Sequence, residues 1–339
     1  MYQYAEIVHW MKNPTKSFIP ASADIDLTNI CDQDCYYCNS ADFRKEHPTQ
    51  KIFEDYISLL DKLATWRQYK PDSYGTLHTI TFTGGGEPTL FKGYERVIEH
   101  AIDLGFLTSL TTNASRIDKL VANVDHDKIR KMSWIGVDID AGSESLYELI
   151  RKSKSKGMFT RVMKNVKMLT DIKANVDIKI LLGEHNTTDT ALEDIFIMAR
   201  DLNVRQIYFR PVLSNGVSFP IRDYVNKLEE LGNKYQVKTM FNTRKDVPRI
   251  YNRCHQMMQF PMFSVDGKIY ICCENKGNPR FDIGRWDEGD FRDLWMAERH
   301  MSIYNSVNTK LCPPCRSHHH NNAIQEIIND PSKLEVLHY

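Results

Sequence analysis

Three cysteines, Cys31, Cys35 and Cys38, stand in the segment LTNICDQDCYYCNS with no fourth cysteine beside them. The other five, Cys254, Cys272, Cys273, Cys312 and Cys315, lie near the far end, and the long stretch between the two groups has none. In a reducing compartment, clustered thiols are better read as metal ligands than as disulfide partners. A closed structural site takes four ligands. Three thiolates on one loop can therefore hold a four-iron cluster with one iron left open to a small molecule. They can also form a zinc loop completed by a distant histidine. At the other end, Cys254, Cys272, Cys312 and Cys315 can saturate either an iron–sulfur cluster or a zinc knot.

The segments around these groups must position them. ADIDLT (23–28) alternates like a strand and runs into the first cysteine loop. A helical stretch follows, with Phe53, Tyr56, Ile57, Leu60 and Leu63 on one face. HTITFTGGGEP (78–88) is a β-branched strand ending in glycines. YERVIEHAIDLG (94–105) places Val97, Ile98, Ala101 and Ile102 together, with Gly105 as a C-cap. FLTSLTTN, MSWIGVDID, NVDIKILL and RQIYFRPV read as further strands. In the helix before the last of them, Thr188 or Asp189 caps a stripe of Leu192, Ile195, Ala199 and Leu202. Repeated strand–helix units predict a parallel sheet, with functional groups at the strands' C-terminal ends. Six units fit an incomplete barrel. Near the end, FSVDGKIYICC (263–273) reads as a hairpin turning at Asp266-Gly267.

Composition narrows the function classes. The chain has 339 residues and a formal net charge of +0, which removes the electrostatic footprint of a general nucleic-acid binder. No apolar run approaches the ~20 residues of a membrane helix. MYQYAEIVHWMKNPTK has no basic start followed by an apolar stretch, so no signal peptide is expected and the expected location is cytoplasmic.

The CxxxCxxC spacing, with Tyr37 just before the third cysteine, resembles the radical S-adenosylmethionine (radical SAM) superfamily. Thr83-Gly84-Gly85-Gly86-Glu87-Pro88 resembles that family's TGGEP motif, which implies that Gly85, Gly86 and Glu87 meet the methionine amino group. Thr112-Asn113 resembles its TNG turn, with Ala114 where glycine is usual. VDID (137–140) resembles its strand-four segment, with Asp138 in the place of the usual serine, Asp140 in that of the aspartate, and Arg151 as the arginine of the next helix. Asn186 and Arg210, at the ends of strands five and six, are implied to face adenosine, the SAM carboxylate or the substrate. The resemblance covers roughly 21–212. It implies a 4Fe–4S cluster on Cys31, Cys35 and Cys38, SAM as co-substrate, a 5′-deoxyadenosyl radical that abstracts hydrogen, and a flavodoxin- or ferredoxin-type electron donor.

Cys254, Gly267, Cys272 and the pair Cys312–Cys315 resemble the shortened, "twitch" form of the SPASM auxiliary-cluster module, which implies a second 4Fe–4S cluster. The four-cysteine pattern also resembles that of radical SAM alcohol dehydrogenases. Cys273 adjoins a proposed ligand. It is expected to be a buried hydrophobe facing away from the ligand on a strand, or else a thiol hydrogen donor of the kind epimerases use. SHHH (317–320), after the last cysteine, is expected to be a solvated loop, or else to supply a ligand.

The expected architecture is α/β, a partial (β/α)6 TIM-like barrel over 21–212 after an extension at 1–20. A helical bridge at 213–250 and a small α+β cluster-binding domain at 251–339 follow. The expected activity is hydrogen abstraction from a small molecule, completed as an oxidation with the auxiliary cluster accepting an electron. Peptide maturation and epimerisation are the alternatives. Only about twenty residues precede the first strand, so a peptide-recognition domain of ~80–100 residues is not expected there.

Overall fold

Each of the six expected strands forms close to its predicted place. In the computed structural model, which describes residues 3–47, 51–214, 217–243, 247–313 and 315–336, these are β1 (Ser22–Asp26), β2 (Thr79–Thr83), β3 (Leu107–Thr112), β4 (Trp134–Asp138), β5 (Val176–Leu182) and β6 (Gln206–Pro211). Later in the chain, beyond a short two-stranded ribbon of Leu213–Ser214 and Val217–Ser218, come β7 (Thr239–Phe241), β8 (Met262–Phe263), β9 (Lys268–Tyr270) and β10 (Asp282–Arg285). The main helices are α1 (Tyr4–Lys12), α2 (Phe53–Ala64), α3 (Tyr94–Asp103), α4 (Glu144–Arg151), α5 (Met158–Asp171), α6 (Asp189–Asp201), α7 (Val225–Tyr235), α8 (Glu298–Ser306) and α9 (His318–Asn329).

The chain forms two compact units. One comprises Met1–Asp26, Gln50–Thr81 and Arg244–Tyr339, and the other Leu27–Thr49 and Phe82–Thr243. In the second unit β3, β4, β5, β6 and β7 lie side by side, all parallel. Strand side chains alternate between faces. Ile135, Val137, Ile178, Ile180, Ile207 and Phe209 take one face and are fully buried. The apolar stripes of α5 (Val162, Val166, Leu169) and α6 (Leu192, Ile195, Phe196) are equally buried, and the Phe196 ring lies 5.9 Å from that of Phe209. The other face carries Thr111, Asp138, Lys179, Tyr208 and Arg210. Thr188 caps α6 as expected, its hydroxyl accepting from the Ala191 N–H at 3.2 Å, a contact that contributes about 1 kcal/mol. The span read as a helical bridge contains α7 and also β7, a strand too short to show periodicity. Pairing with β6 and stacking of Phe241 on Phe209 (5.8 Å between centroids) form it.

In the first unit β1 pairs in parallel with β8, and β8–β9–β10 continue antiparallel. The turn of the expected hairpin is present, with Gly267 at φ +83. Its core includes Trp66, whose ring meets Phe291 and Trp295 edge-on at 5.5 and 5.6 Å. Two expectations are corrected here. Residues 317–320 are not a solvated loop but the start of α9. His318 and His320 are buried, accepting or donating at Nδ1 to the hydroxyls of Tyr251 (3.2 Å) and Tyr4 (2.7 Å). Buried tyrosine partners, invisible in the local sequence, draw this polar run inside. The second strand of the hairpin stops at Tyr270, so Cys272 and Cys273 do not alternate on a strand. Cys273 opens a single helical turn, Cys273–Asn275. Among the described residues no helix is long and apolar enough to cross a membrane.

Candidate functional site

The first cysteine loop is held by a short ladder to the end of α4. The Asp34 and Tyr36 N–H groups donate to the carbonyls of Arg151 (3.2 Å) and Ile150 (2.8 Å), and Lys154 Nζ donates to the Cys31 carbonyl at 2.8 Å. Gln33, fully buried between the first two cysteines, donates to Tyr147 Oη (2.6 Å) and accepts from Arg151 Nε (2.9 Å). Arg151 passes the connection on, donating from Nη1 to Asp140 at 2.7 Å. A buried guanidinium needs a counter-charge and acceptors; here the Asp140 carboxylate supplies the charge and the Gln33 amide oxygen accepts from Nε. Burial pushes the Cys35 thiol up to about 12, an effect Arg151 opposes and Asp140, Cys31 and Cys38 reinforce. Cys31 and Cys38 thus both lie within electrostatic reach of Cys35. Such thiols become thiolates when a cation joins them.

The glycine turn runs against this loop. Gly86 N–H donates to the Thr28 carbonyl (3.0 Å) and Glu87 N–H to that of Ile30 (2.8 Å). A Cβ on Gly86 would fall 2.2 Å from the Ile30 carbonyl oxygen, so only glycine permits the approach. Glu87 is buried. Its Oε1 accepts from the Thr89 N–H (3.0 Å) and the hydroxyls of Thr89 (2.7 Å) and Thr112 (2.5 Å), and its Oε2 accepts from the Asn113 N–H at 2.6 Å. The carboxylate therefore locks the glycine turn to the end of β3, and Oε2 keeps a lone pair for a further donor. Asn113 extends the lock through its Nδ2, 2.8 Å from Asp32 Oδ1. Ala114 occupies the left-handed region at φ +60, where the usual glycine would be unstrained.

Asp140, itself at φ +64, accepts from Arg151 at Oδ2 and from the Leu181 N–H at Oδ1 (2.7 Å). Asn186 is fully buried. Its amide donates to the carbonyls of Asp140 and Leu181 (both 2.9 Å) and its Oδ1 accepts from the Gly183 N–H at 2.9 Å, so its groups tie strand ends together. The Tyr37 ring stands 5.9 Å from His185, and its hydroxyl faces Gly183, where a Cβ would come within 2.8 Å. Asp138 lies between Lys179 (3.4 Å) and Arg210 (3.2 Å). Burial alone would raise its carboxyl pKa, but Lys179, Arg210 and Arg151 together hold it below the ordinary value. Hydrogen bonds in this unit thus tie the segments carrying Cys31 and Cys35 to Gly86, Glu87 and Asn113 on one side and to Arg151 and Asp140 on the other, with Asp138 and Arg210 as a second, charged group.

In the first unit, Cys254, Cys272 and Cys315 lie within electrostatic reach of one another. Burial pushes Cys254 up to about 12 and Cys315 up to about 11, and Cys272 adds to both shifts. Asn321 and Asn275 donate to the sulfurs of Cys254 (3.4 Å) and Cys272 (3.2 Å). The Cys312 sulfur lies 3.9 Å from the Asn308 carbonyl. Among the described residues no three His, Cys, Asp or Glu side chains converge as a single ion demands. Cys273 stands apart from the other thiols in its partner, accepting from Arg316 Nε at 2.9 Å; Arg316 Nη2 reaches Asp24 at 3.0 Å. Burial pushes the Cys273 thiol up to about 12 against the pull of Arg316. Lys276 and Asp26 form a buried pair at 2.6 Å.

Sequence reasoning passed over Gln33, Lys179, Asp24, Asp26, Lys276 and Arg316. For three of them there was a signal: Asp24, Asp26 and Lys179 are charged residues inside strands that otherwise read as buried. Gln33, Lys276 and Arg316 sit in irregular segments whose partners are distant in sequence.

The Radical SAM superfamily profile matches residues 25–199. The sporulation killing factor maturation protein SkfB of Bacillus subtilis is 26% identical over 180 residues, 52% of this chain and 39% of that protein. The probable GTP 3′,8-cyclase of Methanocaldococcus jannaschii is 26% identical over 230 residues, 66% of this chain and 71% of that one. Among solved structures, Streptococcus suis SuiB bound to precursor peptide SuiA superposes with a TM-score of 0.66 at 15% identity, covering 89% of this chain and 69% of SuiB. Native anSMEcpe with bound AdoMet superposes with a TM-score of 0.58 at 16% identity, covering 84% and 83%. At these identities the two structures speak for the fold.

Proposed function

Because the chain belongs to the radical SAM superfamily, whose members are enzymes that carry a 4Fe–4S cluster and use SAM, we propose that Cys31, Cys35 and Cys38 hold that cluster and that the turn at Gly85, Gly86 and Glu87 receives SAM. The observation that carries this is the stapling of the three-cysteine loop to the glycine turn by backbone hydrogen bonds, with Gly86 admitting no side chain. When bound, the reduced cluster and SAM supply a 5′-deoxyadenosyl radical that abstracts hydrogen from a substrate. The chain's own part is positional. Gln33 and Arg151 fix the loop, and Glu87 fixes the turn while offering Oε2 to the methionine ammonium. Asp140 and Asn186 hold the strand ends that border the SAM site, and Asn113 and Tyr37 line it. Asp138, ionised between two cations, is suited to accept from ribose hydroxyls. Reduction comes from a flavodoxin- or ferredoxin-type donor.

We further propose that residues 251–339 form a twitch-type module, with Cys254, Cys272, Cys312 and Cys315 holding a second 4Fe–4S cluster. With all four irons held by protein thiolates, such a cluster would have no open site for a substrate and would supply an electron acceptor instead. Abstraction of a hydrogen atom, followed by loss of one electron to that cluster and of the hydroxyl proton to solvent, would amount to a two-electron oxidation, such as an alcohol to a ketone on a small molecule. Peptide substrates are the second reading, supported by the maturation role in the name of SkfB and by the precursor peptide bound to SuiB. Metal analysis tests the second cluster. Wild-type protein is expected to hold about eight irons per chain and negligible zinc. Cys272→Ala lowers this to about four, and Cys273→Ala leaves it unchanged. Four irons with one zinc would defeat the electron-acceptor role, since zinc has no redox chemistry. A Cys273→Ala enzyme that keeps both clusters and abstracts hydrogen without finishing the product would replace oxidation by epimerisation.

A further inference from the structure

Two asparagines of the first unit aim amide N–H groups at two of the proposed auxiliary ligands. Asn321, on the first turn of α9, is fully buried. Its Oδ1 accepts from the Gln256 N–H at 3.1 Å, which fixes the way the amide points and turns Nδ2 toward the Cys254 sulfur at 3.4 Å. Nδ2 also bonds the Tyr251 hydroxyl. Asn275 closes the helical turn Cys273–Asn275. Its backbone N–H donates to the Cys272 carbonyl at 3.2 Å, and its Nδ2 lies 3.2 Å from the Cys272 sulfur. The turn that stands in place of the expected strand is thus what folds Asn275 back over Cys272. A neutral thiol is a weak acceptor. A thiolate is a strong one, because hydrogen bonds to an ionised acceptor are roughly twice as strong. The two amides therefore suit Cys254 and Cys272 in the deprotonated, metal-ligating state. Such bonds also discriminate between oxidation states. Reduction of a cluster adds negative charge to its sulfurs and strengthens every N–H···S bond they accept, so donors at the sulfurs favour the reduced form. Away from bulk water the effect is larger.

We propose that the side-chain amides of Asn321 and Asn275 raise the reduction potential of the auxiliary 4Fe–4S cluster and so fit it to take an electron from the substrate radical. This rests on the auxiliary-cluster reading above. The substrate radical loses one electron, the cluster gains it, and the substrate's proton goes to solvent. Asn321 and Asn275 are positioning residues in this step, since they touch the Cys254 and Cys272 ligands and act through them. Asn322, the next residue of α9, supplies a control. It is buried too, but its Nδ2 donates to the Pro248 carbonyl at 2.9 Å and its Oδ1 accepts from the Ile250 N–H at 3.2 Å.

The test is an anaerobic redox titration of reconstituted, full-length protein, followed by electron paramagnetic resonance. Replacing Cys31, Cys35 and Cys38 by alanine in the parent chain leaves the auxiliary cluster to give the signal alone. In that background Asn321→Leu and Asn275→Leu are each expected to retain about four irons per chain. Each lowers the one-electron reduction constant roughly tenfold, the size of effect one hydrogen bond exerts, which is a fall of about 59 mV in the midpoint. Asn322→Leu keeps the parent midpoint. An unchanged midpoint at full iron content in both asparagine variants overturns the proposal, and in one of them it overturns the role of that residue. An equal fall in Asn322→Leu also overturns it, because a general loosening of the module would then account for the shift. Should Asn321→Leu fail to retain iron, Asn275→Leu, at a half-buried position on a short turn, decides alone. Zinc, or no metal, in the parent module overturns the auxiliary-cluster reading and this inference with it. An iron cluster whose potential ignores both asparagines overturns this inference alone.

Discussion

Replacing Cys31, Cys35 and Cys38 together by alanine is expected to remove about four irons per chain and to abolish reductive cleavage of SAM. Three ligands on one loop act as a unit, so partial retention is not expected. The surrounding scaffold should survive. Gln33, Arg151 and Asp140 bond to one another, to Tyr147 and to the Leu181 backbone rather than to the sulfurs, apart from the 3.7 Å contact of Cys35 with Gln33. A variant that keeps its melting cooperativity but loses one cluster and all 5′-deoxyadenosine formation is the predicted result, read by iron analysis and chromatography. A triple variant that still cleaves SAM would place the chemistry elsewhere.

The second large effect is expected at Gly86. In Gly86→Val the new Cβ meets the carbonyl oxygen of Ile30 at 2.2 Å and the carbonyl carbon of Asn29 at 2.6 Å. Both are backbone atoms, so no rotamer change relieves the clash. The turn must move away, and with it go the two hydrogen bonds from Gly86 and Glu87 to the cysteine loop. Overpacking of this kind costs about 1–3 kcal/mol and each lost hydrogen bond about 1 kcal/mol, so a loss of roughly 3 kcal/mol or more is expected. Because the displaced turn borders the proposed SAM site, SAM affinity should fall at least tenfold. Glu87→Ala provides the contrast. It keeps the backbone approach but leaves the Asn113 N–H and the Thr112 and Thr89 hydroxyls without their acceptor, loosening the end of β3. Denaturant melts and SAM titration of the two variants check this. A Gly86→Val protein with wild-type stability and SAM affinity would contradict it.

Much of this was readable from the sequence because it rests on local signals. The strand–helix alternation, the Thr188 cap, the Asp266-Gly267 turn and the cysteine spacing are written in contiguous residues. What stayed hidden depends on distant partners. Gln33 has no periodicity to mark it, and its importance comes from Tyr147 and Arg151, more than a hundred residues away. Strand β7 exists because β6 offers it an edge. The histidines at 318 and 320 read as solvent-seeking until Tyr251 and Tyr4 supply buried partners. Asn186 and Glu87 were expected to meet SAM, and the structure adds that each is already bonded to the chain. The expected hairpin, which puts Cys273 on a strand, extends three residues beyond the true end of that strand at Tyr270, and the helical turn Cys273 opens gives it Arg316 as a neighbour.

The central claim is that this chain cleaves SAM reductively at the three-cysteine loop. The direct measurement is anaerobic incubation of the iron-reconstituted wild-type protein with SAM and dithionite, followed by quantification of 5′-deoxyadenosine. The account predicts time-dependent 5′-deoxyadenosine and methionine in equal amounts, absent when the protein or dithionite is omitted. Intact SAM after prolonged incubation with protein that carries its full iron complement would contradict it.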